Sequence, residues 1–276
     1  MGSVAATAPA IDLGSAGGVS YRLAERELDP PGTPKATAKC PAGKHVSGGA
    51  FVVYEPENTG TFDYSASMPV DRGDADSAPD DGWRVRATPI DEPTGVASTA
   101  MCADGHSRYR DKQEPVDPGF PVLRVSCGQG WHVTGGGASV SPDVNHVVWS
   151  HPYDSGDPGG LPDDGWRAML YVDELNQEPT VYAVCSREQP AYRREKETLQ
   201  PGNGELNEAQ CSSSSHLIGA GASFTGPSSP SGIQRVAADD DPGDPGEAPD
   251  DAAEAFGLVG NSSPADELTV FAICAK

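Results

Sequence analysis

The chain has 276 residues, with 19 Lys and Arg against 41 Asp and Glu, and a formal net charge of −22. That acidity excludes a nucleic-acid binder, which needs a positive face for phosphate, and no run approaches the roughly 18 apolar residues of a membrane span. Leu, Ile, Val and Phe number only 45, a composition that resembles disorder at this charge, but six cysteines at recurring positions argue for a folded chain with a small core held by disulfides.

The opening "MGSVAATAPAIDLG" lacks both a charged n-region and an apolar core, so residues 1–20 read as a tail and not as a signal peptide. Three units follow, 21–108, 109–191 and 192–276, with a period of about 85 residues. Tyr-Arg opens each of them, as Tyr21-Arg22, Tyr109-Arg110 and Tyr192-Arg193. A charged, Pro-bearing stretch leads to Cys40, Cys127 or Cys211, and a histidine follows five positions later: His45, His132 and His216. Each histidine begins a Gly/Ala-rich run ("HVSGGAFV", "HVTGGGASV", "HLIGAGASF"), after which comes an acidic, Gly/Pro-broken segment. A final apolar run closes each unit with Cys102, Cys185 or Cys274.

Short β-branched runs between Gly, Pro, Asp and Asn turns predict strands. In the second unit they are "VLRVSC", "HVTGGGASV", "HVVWSHP", "GWRAMLYV" and "TVYAVC", giving four or five strands per unit. Only six residues separate Cys102 from Tyr109 and Cys185 from Tyr192. Such short linkers favour one all-β body with approximate three-fold symmetry over three hinged domains.

None of the cysteines forms a C-x-x-C pair, so disulfides are expected in place of a zinc site. Of 15 possible pairings, the repeat favours Cys40–Cys102, Cys127–Cys185 and Cys211–Cys274, and such bonds imply an oxidising compartment, hence a secreted, extracellular protein.

Fifteen of the 25 aspartates lie in residues 71–81, 154–164 and 239–251. Asp71, Asp74, Asp80 and Asp81, with Asp154, Asp157, Asp163, Asp164, Asp241 and Asp244, offer hard oxygen ligands of the kind calcium takes. Their spacing matches no calcium loop, and Asx-type turns account for the same residues, so no cofactor is expected, with calcium the one candidate. The three repeat-equivalent histidines could meet on an axis to hold zinc, or sit at strand starts bonded to backbone.

No catalytic signature is found. Ser150, His151 and Asp154 are adjacent in sequence, which does not make a triad, and G-x-S-x-G is absent. The aromatic candidates for ligand contact are Trp83, Trp149, Trp166 and Tyr153, since an aromatic face stacks on a sugar or anchors a protein contact. For Trp83 and Trp166, which enter strands after a Gly turn, a core plug is the competing role, and the third repeat, with Ala252-Ala253 in place of Gly-Trp, would fill the volume with Phe256. Trp131 and Trp149 occur in the second repeat only.

The frame C-P-x-G, a glycine-rich strand, a Gly-Trp strand and a terminal A-x-C resembles exported three-fold repeat proteins of high-GC bacteria and, more distantly, the vitelline membrane outer layer protein family. That resemblance implies a β-prism of three Greek-key sheets, an architecture shared with jacalin-type lectins. The sequence departs from the frame at "CGQG" and "CSSS", which replace "CPAG" in the second and third repeats, and no functional residue is carried over. The expectation is a non-enzymatic, exported binding module for a glycan or cell-surface partner. Its alternatives are a passive structural or assembly component with an acidic solubilising shell, and calcium-dependent binding through the Asp-rich loops.

Overall fold

A computed structural model describes residues 11–26, 34–54, 63–71, 78–88, 95–105, 107–141, 145–156, 160–200, 204–224, 232–239, 251–258 and 266–276. Nineteen strands and no helix are found among them. The first repeat runs β1 (Ile11–Ala16), β2 (Val19–Arg26), β3 (Lys35–Lys39), β4 (His45–Tyr54), β5 (Asp63–Val70), β6 (Gly82–Thr88) and β7 (Gly95–Ala103). The second has β8 (Arg108–Gln113), β9 (Val122–Ser126), β10 (His132–Ser139), β11 (His146–Tyr153), β12 (Gly165–Tyr171) and β13 (Thr180–Ser186). The third has β14 (Ala191–Leu199), β15 (Gly204–Gln210), β16 (His216–Phe224), β17 (Gly232–Asp239), β18 (Ala252–Leu258) and β19 (Asp266–Ala275).

Each repeat contributes six strands, with β1 as an addition that pairs with β2. The strand missing from the expected four or five is the Tyr-Arg strand: β2, β8 and β14. In β8 ("RYRDKQ") and β14 ("AYRREKETL") it lacks apolar alternation because it is a sheet edge. Charged side chains there keep the open backbone from pairing with another chain.

The strands form three antiparallel sheets, and no sheet belongs to one repeat. The first is β1-β2-β7-β4-β17-β18-β15, the second β3-β6-β5-β10-β13-β8 and the third β14-β19-β16-β11-β12-β9. Leaving aside the added β1, each joins three strands of one repeat to three strands of the preceding one in cyclic order, which gives the body its pseudo-three-fold symmetry. The disulfides Cys40–Cys102, Cys127–Cys185 and Cys211–Cys274 have Cα separations of 5.6, 5.7 and 5.8 Å. Each ties the end of a strand in one sheet to a strand of another, so the staples close the corners between sheets.

The glycine-rich strands β4, β10 and β16 meet where the sheets converge. A Cβ on Gly48 would strike Ile218 O and Gly219 Cα, one on Gly135 would strike Ser47 O and Gly48 Cα, and one on Gly219 would strike Thr134 O and Gly135 Cα. Three backbones thus approach in a closed cycle that only glycine permits. A bulge precedes each of these glycines, and the carbonyl exposed there accepts the tyrosine of the Tyr-Arg motif from the next repeat. Tyr109 Oη donates to Val46 O (2.8 Å), Tyr192 Oη to Val133 O (2.7 Å) and Tyr21 Oη to Leu217 O (2.6 Å). The motif that marks each repeat is an interlock between repeats.

Candidate functional site

The acidic segments build corners. Asp80 O accepts from Val46 N and Asp81 O from Cys40 N, both at 2.9 Å, and Asp163 and Asp164 repeat the pattern with Val133 and Cys127. The carboxylate of Asp80 is 7% exposed and bonds His45 Nδ1; that of Asp163 is 10% exposed and bonds His132 Nδ1 at 2.7 Å. These two histidines are thus turned to the aspartates of their own repeats and do not converge on an axis. Asp154 Oδ1 accepts from Gly156 N at 2.6 Å, an Asx turn, and Asp164 Oδ2 accepts from Ser155 N and Oγ at 2.6 Å. Asp71 is exposed. Asp74, Asp157, Asp241 and Asp244 lie outside the described residues. Among the described residues no three His, Cys, Asp or Glu side chains are grouped as a metal ion requires.

Of the two roles open to Trp83 and Trp166, ligand platform and core plug, exposures of 0% and 1% fit the plug. Their indoles lie on glycines of the axial strands: a Cβ on Gly49 would come to 2.1 Å of Trp83 Cδ2, and one on Gly136 to 2.4 Å of Trp166 Cδ2. The indole N–H groups donate to Ser67 Oγ (2.9 Å) and Ser150 Oγ (2.5 Å), which satisfies the buried donor. In the third repeat Ala253 occupies the tryptophan position, Ala220 the glycine position and Val236 the serine position. Phe256 is not the filler expected. Three positions along a strand reverses the face, and its ring lies instead where a Cβ of Gly204 would be.

Trp149 and Tyr153 occupy the opposite face of β11 from Ser150. Arg167 stacks over Trp149 at 5.7 Å and Arg124 over Tyr153 at 5.9 Å. His151, between them, donates from Nδ1 to Pro152 O (2.6 Å) and accepts at Nε2 from Arg167 Nε (3.1 Å). Burial, reinforced by Arg167, pushes its pKa down to about 3, so the ring is neutral. Ser150 and His151 therefore face opposite ways. The same outer face continues through Tyr171, stacked on His146 at 4.9 Å and close to Phe120 at 5.3 Å.

A second feature lies where the axial strands end. A cleft of about 1030 Å³ has Ser47, Thr134 and Ile218 at its base. Thr134 Oγ1 lies 3.0 Å from Ser47 O, and Ser47 Oγ 3.1 Å from Ile218 O, so the base is built from equivalent residues of all three repeats. The six-residue linkers that follow Cys102 and Cys185 supply its walls, through Asp104, Ser107, Arg187, Glu188 and Gln189. Trp131 lines it too, half-buried, with Arg108 and Arg187 at 5.5 and 5.2 Å from its ring. Its equivalents before the repeat histidine are Lys44 and Ser215, so this aromatic belongs to the second repeat alone. The sequence signalled Trp131 by that singularity, but the cleft assembles only when chain-distant segments of all three repeats come together. Comparison with family models and with curated proteins found no match to this chain.

Proposed function

We propose that the protein is an exported, non-enzymatic binding module that takes a carbohydrate in the axial cleft. The observation that carries this reading is the lining of the cleft. Trp131 lines it together with the hydroxyl, carboxamide and carboxylate side chains of Ser107, Gln189 and Asp104 at the walls, over a base of Ser47 and Thr134 whose hydroxyls donate to backbone carbonyls. A pyranose presents that combination of one apolar face and a rim of hydroxyls. The volume of about 1030 Å³ lies at the upper end of the roughly 300–1,000 Å³ of small-ligand sites. Asp104 and Glu188 are balanced by Arg187 and Lys276 at the lining, so a neutral ligand is favoured in an otherwise acidic molecule. The three disulfides suit an oxidising, extracellular setting.

The test is a neutral-glycan array followed by calorimetric titration of each sugar retained. Wild type should retain a defined subset, and Trp131→Ala should weaken it at least tenfold in protein that still unfolds cooperatively well above the assay temperature. A clean array, or retention that Trp131→Ala leaves intact, refutes the reading; the clean array would favour a structural component whose acidic shell maintains solubility.

A further inference from the structure

We propose that the outer face of the third sheet holds an oxyanion, the carboxylate or sulfate group of a ligand, between Arg124 and Arg167. The two residues are direct cross-strand partners on β9 and β12, a placement in which like charges repel. The pseudo-symmetry supplies two internal comparisons. At the same register position the second sheet pairs Thr37 with Arg84, and the first pairs Glu208 with Glu254. Arg84 Nε there donates to Thr37 Oγ1 at 3.4 Å. The two glutamates also repel, but Arg235 from the neighbouring β17 reaches Glu254 at 3.2 Å. The residue of β11 equivalent to Arg235 is Trp149, the first after the same bulge. Where the first sheet supplies a counter-ion, the third supplies an aromatic ring.

Among the described residues no carboxylate forms an ion pair with Arg124 or Arg167. The nearby Asp164 accepts through Oδ2 from Ser155 N and Oγ and forms no ion pair with either arginine among the described residues. Both guanidiniums are held on aromatic faces, Trp149 and Tyr153, and Arg167 is tied through Nε to His151. Their remaining N–H edges are left for a ligand, with Arg124 exposed and Arg167 half-buried. Two oriented forks suit a carboxylate or sulfate, each of which accepts paired N–H bonds. In a chain of net charge −22 the long-range field repels anions, so selectivity must come from this local geometry. Burial and the neighbouring Arg124 both lower the pKa of Arg167, as expected of a cation awaiting a partner. The residues differ from those of the axial cleft, so the two proposals stand or fall separately.

The experiment titrates wild type and Arg124→Gln with sodium glucuronate, sulfate and phosphate against sodium chloride at matched ionic strength. The readouts are calorimetry and the Nε–Hε resonances of the arginines. Saturable binding of one equivalent is expected, with shifts at Arg124 and Arg167, and at least a tenfold loss in Arg124→Gln. Preference for glucuronate identifies a carboxylate ligand, preference for sulfate a sulfated one. Without added oxyanion, Arg124→Gln should melt no lower than wild type, because relief of repulsion offsets the lost stacking. A linear response shared with chloride, affinity unchanged in Arg124→Gln, or a markedly lower melting temperature of that variant would each overturn the proposal, the last by making Arg124 a structural residue.

Discussion

Replacing Gly49 by alanine should destabilise the protein, and the same replacement should stabilise it once Trp83 is gone. In the wild type the new methyl would sit 2.1 Å from Trp83 Cδ2, and overpacking of this kind costs about 1–3 kcal/mol. Trp83 is fully buried, so Trp83→Ala should cost about 3–5 kcal/mol. In that background the methyl at position 49 enters the vacated volume, and one buried methyl is worth about 0.8 kcal/mol. The third repeat already combines the two small residues, as Ala220 and Ala253. The two substitutions should therefore couple favourably by about 2–4 kcal/mol, well outside the scatter of independent sites. Equilibrium denaturant unfolding of the four proteins, with disulfides intact, measures the coupling. Equal costs for Gly49→Ala in both backgrounds would show that the indole does not rest on the glycine, and with it the core-plug assignment would fall.

The paired replacement Cys127→Ala/Cys185→Ala opens a loop of sequence separation 58 and should cost about 4 kcal/mol by the chain-entropy estimate, seen as a lowered denaturation midpoint. Tyr109→Phe strips the Val46 carbonyl of its donor and should cost about 1 kcal/mol; no change in unfolding free energy would argue against the interlock between repeats. His151 is held neutral with its pKa pushed down to about 3, whereas in the unfolded chain it protonates near about 6.5. Between those values the unfolded state binds the extra proton, so the stability it contributes is complete above about pH 6.5 and is lost as pH falls toward 3. His151→Met, the residue of the first repeat at Met68, should flatten the fall in melting temperature over that window.

Much of this molecule is determined locally and can be read from the sequence. Strands follow from short β-branched runs between turn residues, and the threefold recurrence of Cys, His and Gly positions implies three equivalent units. Among 15 pairings that recurrence favours those within each repeat, and these are the pairings the structure shows. Gly-Trp at 82–83 and 165–166 suggested a plug, and burial confirms that role. What escaped is whatever depends on contacts between repeats. The Tyr-Arg strand hides because an edge needs charge and not alternation. A sequence repeat does not say whether its six strands stay together, and here they divide three and three between two sheets, with the disulfide closing a corner. His45 and Asp80 stand 35 positions apart, so their pairing is decided by the corner they share. Phe256 has the volume to replace an indole, but three positions beyond Ala253 it lies on the other side of the strand. Arg124 and Arg167 look ordinary in sequence. Only the register of β9 against β12 sets the two charges side by side, because pairing between strands distant in sequence is fixed by the fold and has no local code.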